Sequence, residues 1–347
     1  MARLNPHKAS RRGFVKFAMA LGLAGAASLA TAAAQAEQLE CPAAKRIEAT
    51  GQFAPANKKI GVTVAYLGVP FYANYKLGLE DGAKQFGFTY ELMDGKMGDL
   101  PSELSNLQHF GAGGFDAVLL TPSGEGILPA LQQLLSAGVP VIEVNNRAGF
   151  GKDGIGVTTY VGANDVEFGR LQTELVTQHF GDKQVKVAYV MGPLSSPAQV
   201  LRAQGWDEGR AALPNIQEIA RVSDDFDSAK ALAVVQDLLS RFPKGEIDAI
   251  VMQGPEGAAA VEYALTNGRD DVRFFAGDYP ADIRQLIHDG KIVGTVNQDP
   301  YPQAYHAMEA AYNLLMGKEA EIKKPYFLPL PLITQANARD VPPAWGC

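Results

Sequence analysis

From Lys58 onward the chain alternates short, β-branched apolar runs with segments whose apolar residues recur at helical spacing. That alternation excludes most architectures, because repeated strand–helix units with short connections build parallel sheets covered by helices. The first unit is Lys58–Gly87, KKIGVTVAYLGVPFYANYKLGLEDGAKQFG. Ile60–Leu67 reads as a buried strand, broken by Gly68 and Pro70. Phe71 and Tyr72 fall in the turn, and Tyr75, Leu79, Ala83 and Phe86 mark a helix that Gly87 stops. Further strands are expected at Phe88–Met93, Phe115–Thr121 and Val139–Val144, with helices through Leu104–Phe110 and Ile127–Leu135. A glycine-rich stretch, Gly149–Gly156, interrupts the pattern, and a second block of the same kind follows. Its strands are Thr158–Gly162, Val185–Met191, Ile216–Val222, Ile247–Met252 and Val272–Gly277. Its helices are Asp165–Phe180, Pro197–Leu213, Ser228–Phe242 and Glu256–Asn267. The fold class is therefore α/β, with two doubly wound Rossmann-like domains and a crevice between them. In such sheets ligands sit beyond the carboxyl ends of the strands. Two adjacent rings there suit the C–H face of a sugar or polyol, although they also serve as a core cap.

The first 36 residues read as an address. Ser10-Arg11-Arg12-Gly13-Phe14-Val15-Lys16 is a twin-arginine export motif before an Ala/Gly-rich stretch, and Ala34-Gln35-Ala36 has the small-x-small form of a cleavage site. The alternative, a membrane helix, fits the glycine content and paired arginines poorly. Glu40 before Cys41 is not the small residue that lipidation needs. The product is expected to be soluble and periplasmic. The leader carries Arg3, Lys8, Arg11, Arg12 and Lys16 and no acid, so 26 of the 31 Lys+Arg remain against 38 Asp+Glu. An acidic chain without a basic cluster is a poor partner for nucleic acid. The two cysteines, Cys41 and Cys347, lie near the two ends of the mature chain. In an oxidising compartment a disulfide between them ties the tails together, contributing at most on the order of 5 kcal/mol. Free or intermolecular thiols are the alternative. All five histidines are isolated, so no metal site is expected, and no cofactor is called for.

In order and spacing, these segments resemble the type I periplasmic sugar-binding proteins of the ribose and galactose group, which feed ABC importers. The carriers are IGVTVAYLGVPFYANYKLGLEDGAKQFG, GDLPSELSNLQHFGAGGFDAVLLTPS and AGVPVIEVNNR in the first half. In the second they are LRAQGWDEGRAAL, DDFDSAKALAVVQDLL, FFAGDYPADIRQLIHDGKIVGTVNQDPYPQAY and the helix ending LLMGK. They cover about Lys59 to Lys318. The resemblance implies a 37–57 extension, a first domain of 58–161 plus 299–324, a second of 162–298 plus 325–335, a three-strand hinge and a 336–347 tail. It implies a monomer that closes on its ligand and then docks on permease subunits, or alternatively on the ectodomain of a membrane receptor.

Carried over residue by residue, Phe71 and Tyr72 match the aromatic pair that packs on the sugar ring, and Phe226 the aromatic opposite. Asn145 stands where ribose-like binders place an aspartate, with Asn146 and Arg147 beside it. Arg202, Asp278 and Gln298 match the arginine, acceptor and amide around the ring's rim. Each has a plain structural alternative: Arg202 on a helix surface, Asp278 in a turn before Pro280, Gln298 at a strand end, Asn145–Arg147 in a solvated loop. The chain also departs from the pattern. Val69 replaces an asparagine before the Pro-aromatic pair, and Gly254-Pro255-Glu256 replaces an Asn-Asp-Glu. Fewer polar rim groups point away from ribose, toward another sugar, a shorter polyol or a less hydroxylated ligand.

Enzymatic readings lack local support. Gly151–Gly156 has no Gly-Lys-Ser/Thr ending for a phosphate loop, and Ser123-Gly124 has no G-x-S-x-G frame. Gly192–Pro197 reads as a strand-end loop with Ser196 as helix N-cap. A repressor of this fold would carry a helix-turn-helix where the leader stands. The proline-punctuated Tyr326–Cys347 is expected to run along the surface.

Overall fold

The computed structural model describes residues 37–42, 46–48, 53–149 and 155–347. The leader, its cleavage triplet and residues 150–154 of the glycine-rich stretch lie outside the described residues.

The first lobe starts with β1 (Lys58–Val64), α1 (Phe71–Phe86), β2 (Phe88–Asp94), α2 (Leu100–Ala112) and β3 (Ala117–Thr121). It continues with α3 (Leu128–Ser136), β4 (Val141–Val144) and β5 (Thr159–Gly162). The chain then crosses into α4 (Asp165–Phe180), β6 (Val185–Met191), α5 (Pro197–Ala211), β7 (Ile216–Ser223) and α6 (Ser228–Arg241). The same lobe holds β8 (Ala249–Met252), α7 (Ala258–Thr266), β9 (Arg273–Gly277), α8 (Ala281–His288) and β10 (Gly294–Val296). α9 (Pro300–Leu315) and β11 (Tyr326–Phe327) return to the first lobe, and β12 (Leu332–Thr334) ends in the second. The sheets run β11-β5-β4-β3-β1-β2 and β12-β10-β9-β8-β6-β7. All pairings are parallel except β10 with β12.

Period-two alternation explains why both faces are covered. On β3, Leu119 packs toward α1 and α9, while Val118 and Leu120 pack with Leu107, Phe110 and Leu131 of α2 and α3. On β6, Ala188 and Val190 serve one face, and Val187, Tyr189 and Met191 the other.

Three expected boundaries shift. β1 ends at Val64, not Leu67, because its pairing with β2 and β3 ends there, at Asp94 and Thr121. Phe71 and Tyr72 form the first turn of α1 rather than the preceding loop, with Pro70 at the N-cap. β11 pairs with β5, so the third crossing falls after Phe327 and not at 324/325. The tail also does not run along the surface throughout: Ala338, Ala344 and Trp345 are buried. Cys41 and Cys347 are disulfide-bonded, with their Cα atoms 5.4 Å apart.

Candidate functional site

Both sheets end their parallel strands at one small cavity of about 50 Å³, walled by side chains of both lobes. β1 leads to Tyr66, Val69, Phe71 and Tyr72, and β4 to Asn145 and Asn146. From the second lobe come Ser196, Ala198, Gln199 and Arg202 of the β6–α5 unit, Phe226 after β7, Gly254 and Pro255 after β8, and Asp278 after β9. Gln298 follows β10 on the second crossing.

The backbone is strained where these side chains turn inward. Asn145, Phe226 and Asp278 have φ of 65°, 62° and 62°, a left-handed region that costs non-glycine residues energy and collects at functional sites. Gly192 leaves room for the Phe226 ring, which a Cβ there would approach to 2.4 Å. The helix carrying Arg202 is placed by a close crossing: a Cβ on Gly169 of α4 would lie 1.9 Å from the Arg202 carbonyl oxygen. That approach sets the guanidinium beside Asp165 at the start of α4.

A continuous polar network crosses the cavity. The Tyr72 hydroxyl donates to Asn145 Oδ1 at 3.0 Å, and Asn145 Nδ2 donates to Gln303 Oε1 at 3.1 Å. Gln303 Nε2 donates to Gln298 Oε1, and Gln298 Nε2 to Asp278 Oδ1, each at 3.0 Å. Arg202 stands 3.9 Å from Asp278, donates through Nε to Asp165 Oδ1 at 2.9 Å and through Nη1 to the Gln253 carbonyl at 2.9 Å. Its guanidinium lies 3.8 Å over the Phe168 ring centre. The lobes also touch directly. The Ala198 N–H donates to Asn146 Oδ1 at 3.1 Å, and Tyr66 meets Phe226 edge to face at 5.4 Å.

Arg202 is 2 % exposed and is the only cationic side chain lining the cavity among the described residues. Burial pushes the Asp165 and Asp278 carboxyls up to about 6, even with the guanidinium beside them. Behind this layer burial raises Asp224 to about 7 and Glu256 to about 8, and the Asp224 carboxylate adds to the Glu256 shift. The second lobe's wall thus holds the ionisable pair Arg202 and Asp278, whereas the first lobe's wall carries neither a carboxyl nor a cationic side chain.

Eight of the nine residues expected in the site line this cavity: Phe71, Tyr72, Asn145, Asn146, Arg202, Phe226, Asp278 and Gln298. Arg147 does not. Its guanidinium turns toward the Tyr160 ring, 5.2 Å from the centroid, within a loop that Glu143 closes by accepting from the Ala148 N–H. Ser196 stands at the N-cap of α5 but makes no side-chain cap bond, and its hydroxyl is buried at the cavity instead. Tyr66 escaped the sequence reading because it was placed inside the strand. Gln199 lies one helical turn before Arg202, a spacing that marks a shared face. Gly254 and Pro255 follow β8 directly, so the strand-end rule reaches them too.

A two-lobed α/β cleft with rings and a buried polar network defines a small-molecule binder. The chain belongs to the periplasmic binding protein domain family, whose model matches residues 60–319. It is 30% identical to the ribose import binding protein of Bacillus subtilis, over 80% of this chain and 89% of that one. The fold is shared with a Bacillus halodurans ABC transporter solute-binding protein holding myo-inositol, at TM-score 0.75 and 22% identity, covering 82% of this chain and 96% of that one. It is also shared with a chain of the XylFII–LytSN complex, at TM-score 0.72 and 19% identity, covering 81% and 99%. The family is one of binding proteins, not enzymes.

Proposed function

We infer that this chain captures a sugar or polyol in the interdomain cleft, closes on it about the three crossings, and delivers it to an ABC importer. The observation that carries the reading is the cavity itself, walled by aromatic rings and rimmed by the Tyr72–Asn145–Gln298–Asp278–Arg202 network drawn from both lobes. A sugar has apolar faces and a polar edge, so Phe71 and Phe226 take the faces while Arg202, Asp278, Asn145, Asn146 and Gln298 take the hydroxyls. Contacts from both lobes make the ligand favour the closed form. The kinship with a ribose import binding protein supports the substrate class. Val69 and Pro255 in the wall favour a ligand with one less hydroxylated edge.

The protein acts as a monomer in the periplasm, exported folded by the twin-arginine route, with its disulfide formed. Arg11→Lys/Arg12→Lys should leave the precursor in the cytoplasm, and sedimentation should give a monomer mass. The binding test is a thermal-shift screen of the protein stripped of ligand by unfolding and refolding. The panel holds D-ribose, D-allose, xylitol and myo-inositol, with amino acids and purines as outsiders. A compound at ~100 times its Kd adds about 2.7 kcal/mol, a shift of a few degrees. A hit among the sugars and polyols supports the reading, and a hit among the outsiders alone overturns it.

A second reading is a ligand sensor that docks on a receptor ectodomain. The XylFII–LytSN complex, in which a chain of the same fold is assembled with another protein, favours it. Finding permease and ATPase genes beside this one would support transport, and finding a sensor kinase gene there would support sensing.

A further inference from the structure

The C-terminal segment lies beyond the 60–319 span of the family match, yet it is fastened to both lobes at the edge of the cavity. On the first lobe, the Trp345 ring joins the hydrophobic cluster and meets Phe71 edge to face at 5.1 Å. The Asn74 side-chain amide donates to the Ala344 carbonyl at 2.7 Å. On the second lobe, the Ala344 N–H donates to the Tyr279 carbonyl at 2.8 Å and the Ala281 N–H to the Trp345 carbonyl at 3.1 Å. Arg284 donates to the Ala338 and Arg339 carbonyls, and to Glu40 of the N-terminal segment that Cys41 joins to Cys347. The strap therefore ties Phe71, on one side of the cleft, to the loop that directly follows Asp278 on the other.

The strap also borders open space beside the cavity. A hollow of about 330 Å³ adjoins the ligand cavity, sharing Val69, Phe71 and Pro255 with it, and Trp345 and Gly346 form part of its wall. The lobes cannot separate at this edge without Trp345 leaving Phe71 or the backbone bonds to Tyr279 and Ala281 breaking.

We propose that Trp345 is a positioning residue for the ligand site and that the disulfide-tethered strap is a clasp. It orients the Phe71 ring and must release one lobe before ligand leaves. The proposal rests on the cleft being the ligand site, but the clasp can be tested without a ligand. The chain has two tryptophans, Trp206 and Trp345. Trp206 is buried within the second lobe, so 5-fluorotryptophan labelling gives a strap signal and an internal reference.

In the stripped, oxidised protein the Trp345 fluorine signal should report a docked ring. Asn74→Ala and the Cys41→Ser/Cys347→Ser double variant should add an undocked population, leaving Trp206 unmoved. Neither variant removes a core ring, so both remain informative where Trp345→Ala fails to fold. Whichever of D-ribose, D-allose, xylitol or myo-inositol binds should shift the signal back to docked and dissociate at least tenfold faster from Asn74→Ala and Trp345→Ala. Trp345→Phe should restore the wild-type dissociation rate to within threefold. Unchanged dissociation together with an unchanged Trp345 signal in both strap variants overturns the clasp, as does a lowered melting temperature with no kinetic effect. If none of the four binds, the clasp is judged on the ligand-free signal alone. An undocked population then supports it, and its absence overturns it.

Discussion

The two lobes share a topology but build opposite halves of the site. The first lobe offers Tyr66, Phe71, Tyr72, Asn145 and Asn146, all neutral and largely held by their own hydrogen bonds and ring contacts. The second offers Arg202 and Asp278, with Asp165 bound behind them. A neutral wall presents a ligand with little desolvation cost. A charged wall is expensive to bury and gives its strongest hydrogen bonds once water is gone. The difference suggests a division of labour, with the first lobe as platform and the second as clamp.

The largest effect should come from removing the clamp's cation. Arg202→Ala leaves Asp165 and Asp278 buried without their partner and should cost about 3–5 kcal/mol of stability, read by chemical denaturation, with ligand binding lost. Wild-type binding in this variant would break the comparison. Asp278→Asn comes next. Asparagine tolerates the left-handed backbone at this position, so the change isolates the charge. It should weaken binding by about 1.5–3 kcal/mol in calorimetric titration while leaving the stripped protein at least as stable. On the platform, Phe71→Leu keeps the bulk and loses the ring, so binding should fall by about 1 kcal/mol with little change in how it depends on pH.

The smallest effect is in pH, and its sign distinguishes the lobes. Asp165 and Asp278 have folded values raised to about 6, above the usual carboxylate value of about 4. Their contribution to stability is therefore full below about pH 4 and lost as pH rises through about 6. Asp224 and Glu256, raised to about 7 and 8, carry the same loss further up. Sugar hydroxyls donate to ionised Asp278, so the ligand-induced thermal shift should grow between pH 5 and 7. Thermal scans with and without ligand measure both slopes, and Asp278→Asn should flatten the second.

The platform and clamp were legible to different degrees. Strand–helix alternation and glycine stops placed most elements to within a few residues, because the buried parallel strands are continuous apolar runs. Phe71 follows a strand end, so the strand-end rule found it, whereas Asp278 was reached only through the resemblance to sugar-binding proteins. Arg147 misled because sequence adjacency to Asn145 does not say which way a side chain turns after a left-handed residue. Asp165 escaped because a helix-start aspartate is ordinarily a solvated cap, and its burial depends on how close Gly169 and Gly205 let α4 and α5 approach. The strap escaped because prolines and polar residues predict a surface path, while its apolar anchors are few: Ala338, Ala344 and Trp345.

The most direct test of the account is calorimetric titration of the stripped protein with the best sugar or polyol from the screen, paired with small-angle scattering of the same samples. Binding should saturate at one ligand per chain, and the ligand-bound protein should have a smaller radius of gyration. Saturable binding with no contraction would contradict a cleft that closes on its ligand. Binding that survives unchanged in Arg202→Ala would contradict the clamp.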